Sequence, residues 1–177
     1  MSNIVIDDTN STLTYFGQWT LLAGGSSRQW NSTVHSTFQT GASVSFQFQG
    51  TYAIFYFPKH FLSTFFFRHP GSVCKVYGTV PIGNGSTVLM DVTIDGSVSS
   101  LVSQTSGSAP IYADLFYQSS SMQSTWHTVV ITNRGGVGNL DFEFDRVELD
   151  ANDIVPTIAS WSPTNTSVSV PTTQSCT

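Results

Sequence analysis

Short runs in which apolar and polar residues alternate are the feature that most constrains the fold of this chain. A period of two places one set of side chains in a core and the other set in solvent, as in half-buried strands. No segment of ordinary helix length has an apolar stripe at helical spacing. We therefore predict an all-β, antiparallel sandwich or jelly roll. Its best-defined strands are Val44–Phe48, Val88–Ile94, His127–Thr132 and Leu140–Leu149.

Length and composition indicate one domain followed by a tail. The 177 residues are enough for one sizeable core. From Pro156 onward the sequence is mainly serine, threonine and proline, which is typical of a linker or an O-glycosylated stalk. We expect a jelly-roll domain over residues 1–155 and a tail over residues 156–177.

Residues 52–72 are far richer in aromatic side chains than the rest of the chain. A membrane-touching loop is one interpretation, although basic residues and histidines interrupt it. A ligand-gripping loop is the second. The third is a translated intron, because removing the segment keeps the reading frame and joins Thr51 to Val73 in one uninterrupted strand. In that case the segment should bulge out between two strands that otherwise pair normally.

Charge and sequons indicate where the protein acts. Charged residues make up 10% of the chain and the net charge is -5, without a basic cluster, which disfavours nucleic acid and anionic membranes as partners. We expect an extracellular or cell-surface protein. No signal peptide follows Met1, so we expect a trimmed leader or a truncated gene model. Four Asn-x-Ser/Thr sequons predict N-glycosylation, at Asn10, Asn31, Asn84 and Asn165.

The strongest candidate for ligand binding surrounds the loop Gly24–Ser27. Aromatic rings beside a polar loop can stack on sugar rings, and nearby polar side chains can hydrogen-bond hydroxyl groups. Packing in the core is the competing interpretation, above all for the first tryptophan of the group. The predicted ligand-binding residues are Trp19, Arg28, Trp30, Asn31 and His35.

Four acidic residues lie on the predicted first and last strands. A closed sandwich often brings such strands together, and carboxylate oxygens are the ligands that Ca²⁺ prefers. The sequence therefore offers a structural Ca²⁺ site, and no other cofactor is expected. Ion pairing with Arg146 or simple solvation competes with this interpretation. The four residues are Asp7, Asp8, Asp145 and Glu148.

Common catalytic motifs are absent from the sequence. It has no G-x-S-x-G elbow, H-E-x-x-H helix, paired C-x-x-C, Walker loop or dinucleotide fingerprint. His35 or His127 could join a serine and an aspartate in a triad, but almost any serine-rich chain permits that. We expect no catalytic residues, and we expect His127 to be a strand-edge or turn residue whose ring is satisfied by hydrogen bonds.

An ordered series of short motifs over residues 4–150 resembles the ectodomains of a large set of fungal surface proteins. The resemblance implies a galactose-binding-like jelly roll, followed by a Ser/Thr-rich stalk and then a membrane span, which this chain lacks. Most such proteins have no assigned activity. The motifs are Ile6–Thr9, Trp19, Trp30–Thr37, Gly41–Phe46, Val76–Gly78, Val92–Gly96, Leu115-Phe116, His127–Val129 and Phe144–Glu148.

These observations favour a monomeric, non-catalytic extracellular module that binds glycans or cell-wall material. The alternative is a structural or sensor ectodomain of a membrane-anchored surface protein that binds no small ligand. A hydrolase with an unrecognised site is a minor third hypothesis. The sequence does not identify the sugar.

Overall fold

Two antiparallel sheets form the domain in a computed structural model. The structure describes residues 3–50, 72–136 and 138–156, except for the side chains of residues 98 and 99. The strands are β1 (Ile4–Asp7), β2 (Thr14–Phe16), β3 (Thr20–Ala23), β4 (Thr33–Thr37), β5 (Ser43–Gln49), β6 (Lys75–Val80), β7 (Thr87–Ile94), β8 (Ser97–Thr105), β9 (Ile111–Gln118), β10 (Trp126–Asn133) and β11 (Phe142–Leu149). A 3-10 helix spans Trp30–Ser32. No helix in these ranges is long and apolar enough to cross a membrane.

The chain crosses repeatedly between two sheets. Sheet A has the order β3-β4-β11-β6-β9, and β1 pairs with the second half of β11. Sheet B has the order β2-β5-β10-β7-β8. The predicted all-β antiparallel sandwich is confirmed, and so are its four best-defined strands, now β5, β7, β10 and β11. The last of them begins at Phe142 rather than at Leu140.

The core lies between the sheets and is built from the alternating side chains that the sequence singled out. In β5 every second residue is buried, and β10 repeats this pattern. Cross-strand neighbours share a face, so the buried sets of paired strands form one layer. The largest fully buried side chains include Phe48, Phe142, Phe144, Met90 and Ile131.

A β-bulge at Asp145 interrupts the regular alternation predicted for β11. The pairing of β11 with β6 shifts register between Phe144 and Arg146. A bulge adds one residue to a strand and so reverses which face the following side chains occupy. Phe142 and Phe144 before the bulge, and Val147 after it, therefore all reach the core.

β5 and β6 are the strands on either side of the aromatic segment 52–72. β5 belongs to sheet B and β6 to sheet A, so the chain crosses between sheets here. Gly50 and Ser72 lie close together at this crossing, because a Cβ atom built on Gly50 would lie 2.9 Å from the hydroxyl oxygen of Ser72. Residues 51–71 lie outside the described ranges, as do residues 157–177, so the intron hypothesis and the domain boundaries stay predictions.

Candidate functional site

The loop between β3 and β4 folds back over the outer face of sheet A. Gln29, only 8% exposed, anchors it. Its Nε2 donates to Oγ1 of Thr79 at 3.0 Å, and its Oε1 accepts the backbone N–H of Ser26 at 3.0 Å. Any Cβ at Gly25 would collide with Oε1 of Gln29, so glycine permits this close approach. The loop predicted from the sequence is thus fixed against β6.

A hollow of about 340 Å³ lies between this loop and the sheet. Its apolar wall comes from Leu22, Val34, Pro81, Ile82 and Pro110. Its polar groups include Gln29, Thr79, Tyr112 and Glu143, which come from the loop, β6, β9 and β11. A concave, largely apolar wall with a few convergent polar groups is the usual form of a small-molecule site.

Glu143 is the half-buried acid of the hollow. Its cross-strand neighbours are Ser36 on β4 and Thr79 on β6. No hydrogen bond or ion pair joins its carboxyl group to another described residue. Burial, together with the carboxylate of Asp141, raises the pKa of Glu143 to about 7. The carboxyl group is therefore available to a ligand, and it changes charge near neutral pH.

We expect stability to fall as pH rises through the titration of Glu143. The usual pKa of this carboxyl group is 4.5, so in the folded protein it binds its proton more tightly than in the unfolded chain. The free energy of unfolding is then highest below pH 4.5 with respect to this group, and it decreases until pH reaches about 7. Melting curves at about pH 5 and about pH 8 measure the difference.

The variant Glu143→Gln is the control for that measurement, because the amide keeps the shape of the side chain and does not titrate in this range. The melting temperature of the variant should change less between the two pH values than that of the parent. Equal changes in both proteins would mean that Glu143 titrates normally.

Beside the hollow, a cation and two aromatic rings form a stack on the same face. The guanidinium carbon of Arg146 lies 4.1 Å from the ring centroid of Tyr77 and 5.6 Å from that of Trp30. Cations over aromatic faces are attracted by the ring quadrupole. Trp30 remains 43% exposed, so one large ring is held in place and still open to solvent.

The bulge residue Asp145 holds this stack to β11. Asp145 is fully buried and accepts the backbone N–H of Trp30 at 2.9 Å. Its other oxygen binds Arg146 Nη1 at 2.9 Å, while Arg146 Nε binds Glu148 at 3.0 Å. Burial raises the pKa of Asp145 to about 6, against the opposing effects of the Trp30 N–H and Arg146.

The five predicted ligand-binding residues do not form one exposed site. Trp19 packs edge-on against Tyr15 and Phe142, and its indole N–H donates to Phe16. His35 stacks on Tyr15 and binds Asp8 through Nδ1 at 2.8 Å. Only three of the five lie on the β3–β4 loop with exposed side chains, namely Arg28, Trp30 and Asn31.

Each of the four predicted metal ligands has a protein partner, which for Asp7 is the hydroxyl of Thr9, whereas Oδ1 of Asp7 is buried without one. Asp8 is fully buried and accepts Thr33 Oγ1 at 2.6 Å in addition to His35, while burial raises its pKa. Asp145 and Glu148 bind Arg146, as the competing interpretation expected, so a cation there would compete with the guanidinium. Among the described residues, no group of three or more acidic, His or Cys side chains is arranged to hold a metal. The Ca²⁺ site stays an untested prediction.

A second cleft, of about 770 Å³, is lined in part by His127, one of the two histidines considered for a triad. Nδ1 of His127 lies 2.8 Å from Asp95, and Nε2 lies 2.9 Å from the backbone oxygen of Gln123. Both ring nitrogens are thus engaged, and neither is left to take a proton from a nucleophile. This geometry gives the triad no support at His127, whose ring is satisfied as expected.

The sequons that the structure describes are exposed. Asn10 and Asn84 lie in turns, and Asn31 lies in the 3-10 helix with a positive φ of 50°. Asn10 accepts both the N–H and the hydroxyl of Thr12 through its side-chain oxygen. Asn165 lies outside the described residues. Glycosylation at the four sites stays a prediction.

Several solved structures share this fold. A CBM35 module from Cellvibrio japonicus matches 88% of this chain and 99% of its own, with a TM-score of 0.57 and 10% identity. A family 35 carbohydrate-binding module from Clostridium thermocellum has a TM-score of 0.52 and 10% identity over 84% of this chain and 98% of its own. An exo-β-1,3-galactanase from Phanerochaete chrysosporium has a TM-score of 0.51 and 14% identity over 84% of this chain.

These likenesses establish the fold, a jelly-roll sandwich. The match covers 29% of the galactanase chain, so this chain spans less than a third of that enzyme, whereas the two modules are matched almost throughout. No protein-family model and no curated protein matches the chain. Membership of the fungal surface proteins therefore stays a prediction.

Sequence reasoning missed most of the residues of the hollow. Glu143 was included only as part of the predicted strand Leu140–Leu149, and neither Thr79 nor Tyr112 lies in a recognisable motif. These residues come from strands far apart in the sequence. The one local signal was Gln29, which lies two residues after the loop Gly24–Ser27.

Proposed function

We propose that this chain is a non-catalytic carbohydrate-binding module whose ligand occupies the hollow on sheet A and extends beside Trp30. The observation that carries the proposal is the hollow itself, with its apolar wall and its polar groups next to an exposed, immobilised indole. Sugars present hydroxyl groups at their edges and C–H groups on their faces, so they need both kinds of surface.

The arrangement of the loop supports a continuous binding surface. Gln29 contributes to the hollow, and Trp30 follows it directly in the chain. Asp145 fixes the backbone of Trp30, and it lies two residues after Glu143 on β11. Because one loop and one strand supply both parts, the surface is already formed before any ligand arrives, which lowers the entropic cost of binding.

Two further observations support the proposal. Solved chains that match over nearly their full length are carbohydrate-binding modules. The low charge and the exposed sequons support an extracellular location, as expected for a module that meets cell-wall or surface glycans.

The variant Trp30→Ala should weaken glycan binding roughly tenfold or more, because a stacking ring is lost, and a tenfold loss corresponds to about 1.4 kcal/mol. A glycan array identifies the ligand, and titration calorimetry then measures the dissociation constant of the parent and the variant.

Trp126→Ala is the matched control, because Trp126 is 48% exposed and begins β10 in the other sheet. Binding should be the same as in the parent. No glycan binding by the parent, or equal losses in both variants, would contradict the proposed site.

A further inference from the structure

We infer that the ligand held in the hollow carries an ammonium group, as an amino sugar with a free amine does. This inference rests on the proposed function and names the class of sugar that the hollow takes. It follows from the charges around Glu143 and from the partners that other charged groups already have.

Of the described residues that line the hollow, Glu143 is the only one with an ionisable acidic or basic side chain other than Tyr112. The nearby basic side chain on the same face, Arg146, is bound to Asp145 and Glu148. Arg134 is paired with Asp91 on sheet B. Among the described residues, the hollow is thus lined by one acidic side chain and by no basic one.

The strands packed against Glu143 add no charged side chain to the lining of the hollow. β3 and β4 contribute Leu22 and Val34, and β6 contributes Thr79. The titratable groups facing it are Asp141, which precedes β11 and has the same charge, and Tyr112 on β9. Burial and Asp141 both disfavour the ionised carboxylate, as the raised pKa reflects.

A ligand can compensate this carboxylate in one direct way. An ammonium group supplies the missing opposite charge and up to three N–H donors, and it does so where water is partly excluded and electrostatic attraction is stronger. The hydroxyl of Tyr112 lines the same cavity, where it can bind a hydroxyl group of the sugar, while the amide of Gln29 keeps its bonds to Thr79 and Ser26.

Other classes of sugar fit the hollow less well. A uronic acid would bring a second negative charge to Glu143, which is unfavourable. A neutral hexose or an N-acetylated amine offers no charge, so it does not stabilise the ionised form of Glu143, which burial disfavours. The hollow therefore discriminates mainly by charge.

The test measures binding of glucosamine and galactosamine by calorimetry near pH 7, each against its N-acetylated form and its parent hexose. The parent protein should bind at least one free amine roughly tenfold more tightly than both neutral counterparts. In Glu143→Gln this preference should disappear, while Trp126→Ala should keep it. Added salt should weaken the preference of the parent protein.

A second measurement uses the unaltered protein. The titration of the Glu143 carboxyl group, followed by NMR, should shift to lower pH when the preferred amine is present, because a cation favours the ionised form. This readout does not depend on how a variant folds.

The outcomes separate this inference from the proposed function. If neutral or acidic sugars bind through Trp30 at least as tightly as the amines, the module stands and the inference is overturned. An amine preference that survives in Glu143→Gln also overturns it. If no glycan binds at all, both proposals fail.

Discussion

The variant Phe144→Ala is expected to lose about 3–5 kcal/mol of the free energy of unfolding, as truncation of buried aromatic side chains does. Phe144 is completely buried on β11, and its ring lies 6.4 Å from that of Phe142 and 6.5 Å from that of Tyr15. Its removal therefore leaves a cavity between the sheets that the rigid neighbouring strands cannot fill.

Denaturant unfolding of the parent and the variant measures this loss. Phe38→Ala is the matched control, because Phe38 is 69% exposed and should change stability by less than about 0.5 kcal/mol. Similar stabilities of the parent and Phe144→Ala would mean that the register of β11 is wrong by one residue.

The variant Arg146→Met should also lose about 3–5 kcal/mol, for an electrostatic reason. It keeps most of the length of the side chain but leaves the fully buried Asp145 without its cation, and breaking a buried pair by removing one partner costs about that much. The loss should be greater at about pH 8 than at about pH 5, because Asp145 can take up a proton at the lower pH.

Arg134→Met is the control for this experiment. Arg134 also pairs with an aspartate, Asp91, whose side chain is 12% exposed, but the side chain of Arg134 is 50% exposed, so its loss should cost less than the loss of Arg146. Adding Asp145→Asn to Arg146→Met should recover part of the stability. Equal effects of the two arginine variants would show that burial of the pair has no special consequence.

The strands of the core were predictable because their signal is local. β5 and β10 each show the alternation of apolar and polar residues within a few positions. Many such runs together predict the sandwich. The bulge was predictable in principle, because the apolar residues of β11 change from even positions at Phe142 and Phe144 to odd positions at Val147 and Leu149. A single continuous pattern was assumed instead.

Only part of the candidate site could be predicted from the sequence. Its residues are far apart in the chain and become neighbours only through the order of the strands in sheet A. The β3–β4 loop was identified from its aromatic and polar side chains, yet Trp19 and His35 turned out to pack beside the core. A pattern of residue types does not distinguish a ring that faces a ligand from one that faces a neighbouring strand. Glu143, Thr79 and Tyr112 become neighbours only when β11, β6 and β9 lie side by side.

Because Gly50 and Ser72 lie close together, we expect the fold to tolerate inserted sequence between them, where the chain crosses from sheet B to sheet A. Both residues are tied to the segment before β10, Gly50 through Thr125 and Ser72 through Met122. Closing a longer loop between fixed ends adds little entropic cost, since each doubling of loop length costs only about 0.6 kcal/mol. Foreign segments, such as a reporter domain or an affinity tag, can therefore enter at this position without separating the two sheets.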